Sequence, residues 1–154
     1  MSEKPAGAGQ TGTERAGQGV SGSYLLAGIH VVSNRISRAF VEEVTAQHGI
    51  KLAEWRVLVS VREAPGTTAG AITRRWGMEK MAVNRAVRRL QEMDCLTVTP
   101  DPADRRRLTL ALTAEGQRLF EAIEPAATRR YRDILALLNA DERRTLGRIL
   151  DKLT

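Results

Sequence analysis

A mainly α fold with one small β-hairpin is what this sequence predicts, and three observations carry the prediction. From Tyr24 onward, apolar residues recur at three- and four-residue spacings over most of the chain, the mark of helices with one buried face. Only two stretches, Leu96 to Thr99 and Leu108 to Leu112, change to short β-favouring runs. The 154 residues, 42% hydrophobic and 27% charged, have the length and balance of one globular domain.

Residues 1–23 hold six of the 13 glycines and no aromatic residue, so a disordered tail is expected there and a single domain over 24–154. Leu25, Ile29, Val32, Ile36, Phe40 and Val44 form one stripe on a long first helix that ends at His48 and Gly49. A second helix is expected from about Ala53 to Arg62, with Trp55, Leu58, Val59 and Val61 as its bulky residues, stopped by Pro65 and Gly66. Thr68 is a good N-cap for Ala69 to Trp76, and Gly77 follows as the terminator. In the next helix, Glu79 to Met93, Val83, Ala86, Val87 and Leu90 fall on one face, leaving Lys80, Met81, Asn84, Arg85 and Arg88 on the other.

Two helices joined by a tight turn, the second with a basic outer face, make a helix-turn-helix. The β-favouring runs come directly afterwards, separated by Pro100 to Arg107, and a hairpin in that place is a wing. Thr113 caps a long helix to about Leu138, which Pro125 is expected to kink or break. Asn139 and Glu142 have the spacing of a capping box for a last helix, whose stripe is Leu146, Ile149, Leu150 and Leu153.

The charge distribution points to an anionic partner. The net charge is +6, and nine basic against five acidic residues between Arg74 and Arg107 supply +4 of it. Twenty of the 24 basic residues are arginine, the residue best shaped for phosphate and guanine. No apolar run is long enough to span a membrane, and the N-terminal stretch lacks the apolar centre of a secretory signal, so a cytoplasmic location is expected. Cys95 is the one cysteine; it can form no internal disulfide and is read as a buried structural thiol. His30 and His48 have no third partner at metal spacing, and no paired carboxylates or activated nucleophile stand at a recognisable spacing. Neither a metal, nor a cofactor, nor an enzymatic activity is expected.

The run Asp101-Pro102-Ala103-Asp104-Arg105-Arg106-Arg107, followed five residues later by Leu112-Thr113-Ala114-Glu115-Gly116, resembles the wing and following helix start of the MarR-type winged helix-turn-helix regulators of bacteria. Trp55-Arg56-Val57-Leu58 and Val87-Arg88-Arg89-Leu90 add to the resemblance, which covers roughly Tyr24 to Leu153. Two positions depart from it: Asp94 stands where the family usually has glycine, and Val98 where a basic residue is common. The resemblance implies a winged helix-turn-helix lobe over 52–113, flanked by N- and C-terminal dimerisation helices over 24–48 and 114–154. The stripes at both ends of the chain agree, since they offer more apolar surface than one small winged domain covers.

The expected partners are double-stranded DNA, a second copy of the chain and a small-molecule effector, in a regulator that acts as a repressor on a pseudo-palindromic operator. Asn84 and Arg85 suit base edges, because an amide pairs bidentately with adenine and a guanidinium with guanine. Lys80 and Arg88 suit phosphate, and Met81 a thymine methyl. Of the wing arginines, Arg105, Arg106 and Arg107, the resemblance makes Arg106 the minor-groove residue, with Asp104 as an anion that pairs with a nearby arginine and organises the loop. It also places an effector pocket where His30, Asn34, Trp55 and Arg56 stand. The alternative is a winged-helix interaction protein with little DNA affinity, for which Asp94 and Val98 are the support.

Overall fold

The structure, a computed structural model, describes residues 22–154. The expected tail thus lies outside the described residues, except that Gly22 and Ser23 already belong to the first helix, α1 (Gly22–Phe40). The chain divides into two compact units between Asn34 and Arg35. The described part of the first is the start of α1, on which Tyr24, Leu25, Leu26, Ile29 and Val32 are exposed.

In the second unit, the end of α1 runs into a π turn, Val41–Thr45, and then a last α turn, α2 (Ala46–His48), closed by Gly49 at φ 66°. The expected single stripe is divided: Phe40 and Val44 are buried in the core, whereas Leu25, Ile29 and Val32 are not. Thr45 Oγ1 donates to the carbonyl of Ile50 at 2.7 Å, which ties the end of this helix to the next segment.

α3 (Leu52–Glu63) is the centre of the fold. Trp55, Val57, Leu58, Ser60 and Val61 are buried, covering nearly every face of the helix, which is why its sequence shows a weak helical period. Glu54 takes the N–H of Lys51 at 2.7 Å and steadies its start. Ile72 of α4 (Ala69–Trp76), Val83 and Leu90 of α5 (Lys80–Glu92), and Phe120 and Ile123 of α6 (Ala114–Leu135) complete the core around it. Phe40, Trp55 and Phe120 stack, with centroids 5.9 and 5.1 Å apart.

β1 (Leu96–Pro100) and β2 (Leu108–Leu112) form an antiparallel hairpin with Leu96 opposite Leu112 and Pro100 opposite Leu108. Leu96 and Leu110 point into the core and fix the register. A third segment joins the outer edge of β2: Gly66 N–H donates to Leu110 O at 3.0 Å, and Leu110 N–H to Thr67 O at 2.9 Å. Val98, where the family favours a base, is half-buried against the core, so this strand position is one of packing.

α6 passes through Pro125 as one continuous helix, so of the expected kink or break, the break does not occur. Pro125 is exposed, as is Glu121, the residue whose carbonyl loses its intrahelical partner, so water can satisfy that group. The helix ends at Leu135, short of Leu138, where Arg143 Nε donates to the carbonyls of Leu135 and Leu138 at 3.0 Å each. α7 (Ala140–Leu153) opens with the expected capping box: Asn139 accepts from Glu142 N–H at 3.0 Å and Glu142 from Asn139 N–H at 2.8 Å. Ile149, Leu150 and Leu153 on α7 are exposed. No described helix is long and apolar enough to cross a membrane.

Candidate nucleic-acid interface

α4 begins where the Thr68 hydroxyl accepts from Ala71 N–H at 3.2 Å. It ends on Gly77 in the left-handed region, with Met78 N–H returning to Thr73 O at 3.2 Å. This turn delivers α5. Val83, Ala86, Val87 and Leu90 anchor its inner face, and Lys80, Met81, Asn84, Arg85 and Arg88 are all exposed on the outer one, as their spacing predicts. Asn84 and Arg85 adjoin on that face, while Lys80, Asn84 and Arg88 follow one another at single-turn intervals.

The turn also rests on Trp76. Its Nε1–H donates to Ser60 Oγ at 2.8 Å, and Ser60, which is buried, donates in turn to Arg56 O. The guanidiniums of Arg56 and Arg75 lie over the same indole ring at 5.3 and 5.4 Å, and Arg75 also pairs with Glu63. Trp55 is a core residue with both faces against rings, and Arg56 belongs to the Trp76 cluster. His30 and Asn34 stand exposed on α1.

Between α5 and β1 the chain turns through Asp94 at φ 56°, the one non-glycine with positive φ among the described residues. Asp94 stands where the resembled family usually has glycine, and it takes the left-handed conformation that glycine adopts most readily. Asp94 O accepts from Thr113 Oγ1 at 2.5 Å, Cys95 O from Thr113 N–H at 3.2 Å, and Thr113 Oγ1 from Gly116 N–H at 3.0 Å. The base of the wing is thereby tied to the start of α6. Cys95 is buried as expected, its Sγ 3.3 Å from Met93 O. Burial, and then the carboxylates of Glu115 and Asp94, push its thiol pKa up, so it stays protonated and unreactive.

At the wing tip Asp104 bonds to backbone rather than to the expected arginine. Its Oδ1 accepts the backbone N–H of Arg106 at 3.0 Å while its carbonyl accepts from Arg107 N–H at 2.8 Å. Within the wing it is Asp101 that pairs with an arginine, Arg107, at 3.9 Å, and it also accepts from Ala103 N–H at 2.9 Å. A short carboxylate two residues before an N–H closes an Asx turn more readily than it reaches a long side chain. Arg105 and Arg106 are exposed, with no acid within 4.0 Å among the described residues.

Sequence reading passed over Asp101 and Glu92. Glu92 lies four residues after Arg88 and three after Arg89, the spacing at which helical charges meet, and its carboxylate pairs with both, at 3.2 and 3.9 Å. Among the described residues, no group of three or more His, Cys, Asp or Glu is placed to hold a metal.

A family model described as MarR family matches residues 48–107, the stretch from the end of α2 through the wing tip. A transcriptional regulatory protein proposed for the hcr operon of Thauera aromatica is 27% identical over 128 residues, 82% of this chain and 77% of that protein. The HTH-type transcriptional repressor Rv2887 of Mycobacterium tuberculosis is 25% identical over 118 residues, 77% of this chain and 85% of its own length. A mutant MarR of E. coli, solved in complex with operator DNA, superimposes with a TM-score of 0.73 at 26% identity, over 84% of this chain and 92% of that one. With a hairpin wing following a helix-turn-helix, the chain has a winged helix-turn-helix fold similar to that of the MarR-family transcriptional regulators it matches.

Proposed function

We propose that the chain acts as a homodimeric repressor, with residues 52–113 as its DNA-binding lobe and residues 24–48 and 114–154 as its dimerisation helices. In this reading each α5 enters a major groove of a pseudo-palindromic operator, Arg106 of each wing reaches the adjacent minor groove, and a small effector loosens the grip. The observation that carries the reading is the outer face of α5, where Asn84 and Arg85 stand exposed side by side on a helix anchored by four buried residues. A rigid helix with an amide and a guanidinium at its crest reads adenine and guanine edges. The wing arginine supports it, because Arg106 is exposed on a loop whose backbone Asp104 fixes.

Dimerisation is supported by apolar side chains left in the open, Leu25, Ile29 and Val32 on α1 and Ile149, Leu150 and Leu153 on α7. Sedimentation at micromolar concentration is expected to give twice the 17.0 kDa chain mass. Duplex binding measured against salt tests the DNA reading. About eight phosphates neutralised by the dimer give a slope of log affinity on log salt near −7, and a flat response refutes it. Asn84→Ala or Arg85→Ala is expected to cost about 1–3 kcal/mol on the preferred duplex and much less on a scrambled one.

A further inference from the structure

The acids on the proposed DNA face are not spread evenly. Arg88 and Arg89 are held by Glu92, and Arg107 by Asp101. Lys80, Arg85, Arg105 and Arg106 have no acid within 4.0 Å among the described residues, and Asn84 carries no charge to hold. Of the two α5 cations expected to hold phosphate, Arg88 is therefore guarded and Lys80 is not, while Asn84 and Arg85, expected to read bases, stand unguarded. Glu92 itself is exposed on α5, one turn beyond Arg88.

We propose that Glu92 is a positioning residue that sets the strength of DNA binding by holding Arg88 and Arg89 away from phosphate, lowering affinity for every sequence alike. The proposal rests on the DNA-binding reading above. A phosphate that approaches Arg88 competes with a carboxylate already at 3.2 Å. Exposed pairs of this kind are weak, so the competition attenuates binding without abolishing it. Asn84 lies two turns before Glu92 on the helix, and base discrimination is left unchanged.

The experiment is duplex binding by the full chain and by Glu92→Gln and Glu92→Asp, each with and without Arg88→Ala, on a selected operator and a scrambled duplex over a range of salt. Glu92→Gln is expected to tighten both duplexes by about threefold per recognition helix, the scale of freeing one partner of an exposed ion pair, and to steepen the salt dependence. The operator-to-scrambled ratio stays constant, Glu92→Asp behaves like the parent, and the gain shrinks when Arg88 is alanine. Unchanged or weaker binding by Glu92→Gln overturns the proposal. So does an equal gain in the Arg88→Ala background, which assigns the effect to net charge alone. A parent chain that binds duplex with a steep salt slope keeps the DNA reading whatever Glu92 does, and a parent that binds no duplex removes both.

Discussion

Gly116→Ala isolates the joint between wing and α6. A Cβ on Gly116 would lie 2.9 Å from the carbonyl carbon of Cys95, 3.2 Å from its Cα and closer still to its oxygen. Those atoms are backbone and cannot swing aside, so the two segments must part by an amount on the order of 1 Å. Separation strains the bonds that meet there, Gly116 N–H to Thr113 Oγ1 and Thr113 N–H to Cys95 O. Two weakened hydrogen bonds at about 1 kcal/mol each and an overpacking cost of about 1–3 kcal/mol oppose a helix-propensity gain of about 1 kcal/mol. The net loss is about 2–4 kcal/mol, a large part of a domain's usual margin. Urea unfolding followed by circular dichroism measures it as a lower midpoint at unchanged slope. A midpoint equal to or above the parent's means that the backbones separate at no cost, and the joint does not act as described.

The wing gives a pair of outcomes with opposed electrostatics. Arg106→Ala is expected to lose at least tenfold in operator affinity with the unfolding temperature unchanged, about the worth of one well-placed groove contact. Asp104→Ala removes a negative charge yet is expected to weaken binding as well, because Arg106 N–H loses its acceptor; tighter binding by this variant, read by fluorescence anisotropy, contradicts the organising role. Cys95 sets a pH response. Its folded thiol pKa is raised above the ordinary 9.0, first by burial, so its contribution is intact below that pH and is lost as pH rises through the folded value. The stability difference between parent and Cys95→Ser is therefore expected to narrow as pH rises above the ordinary 9.0, and a constant difference in urea midpoints speaks against it.

Local signals made much of this molecule legible. Thr68, Gly77, Thr113 and Asn139 act on their own neighbourhood through side-chain or glycine geometry, and each terminates or starts a helix where its chemistry predicts. The outer face of α5 could be read because its inner face is a clean apolar stripe. What escaped depends on partners distant in sequence or on competition between nearby bonds. The π turn at Val41–Thr45 has no motif, and the pairing of Gly66 and Thr67 with Leu110 spans more than forty residues. At the wing tip, the motif singled out Asp104 but pointed to an arginine head as its partner, whereas the turn gives its carboxylate the backbone N–H of Arg106. Glu92 was visible in its spacing to Arg88, yet a bridge between two cations of a binding face acquires meaning only once that face is known.

The two tryptophans divide the molecule into two optical stations. Trp55, enclosed by Phe40 and Phe120, sits in a dry apolar setting, where indole emission is blue-shifted and dissolved quenchers do not reach it. Trp76 is half-buried, hydrogen-bonded to Ser60 and flanked by two guanidiniums at the end of the helix that leads into α5. Its emission lies further to the red. Replacing Trp55 with phenylalanine leaves one indole in the chain, a few residues from Lys80 at the start of α5. Such a chain reports on the start of α5, the proposed DNA-contacting helix, in unlabelled solution.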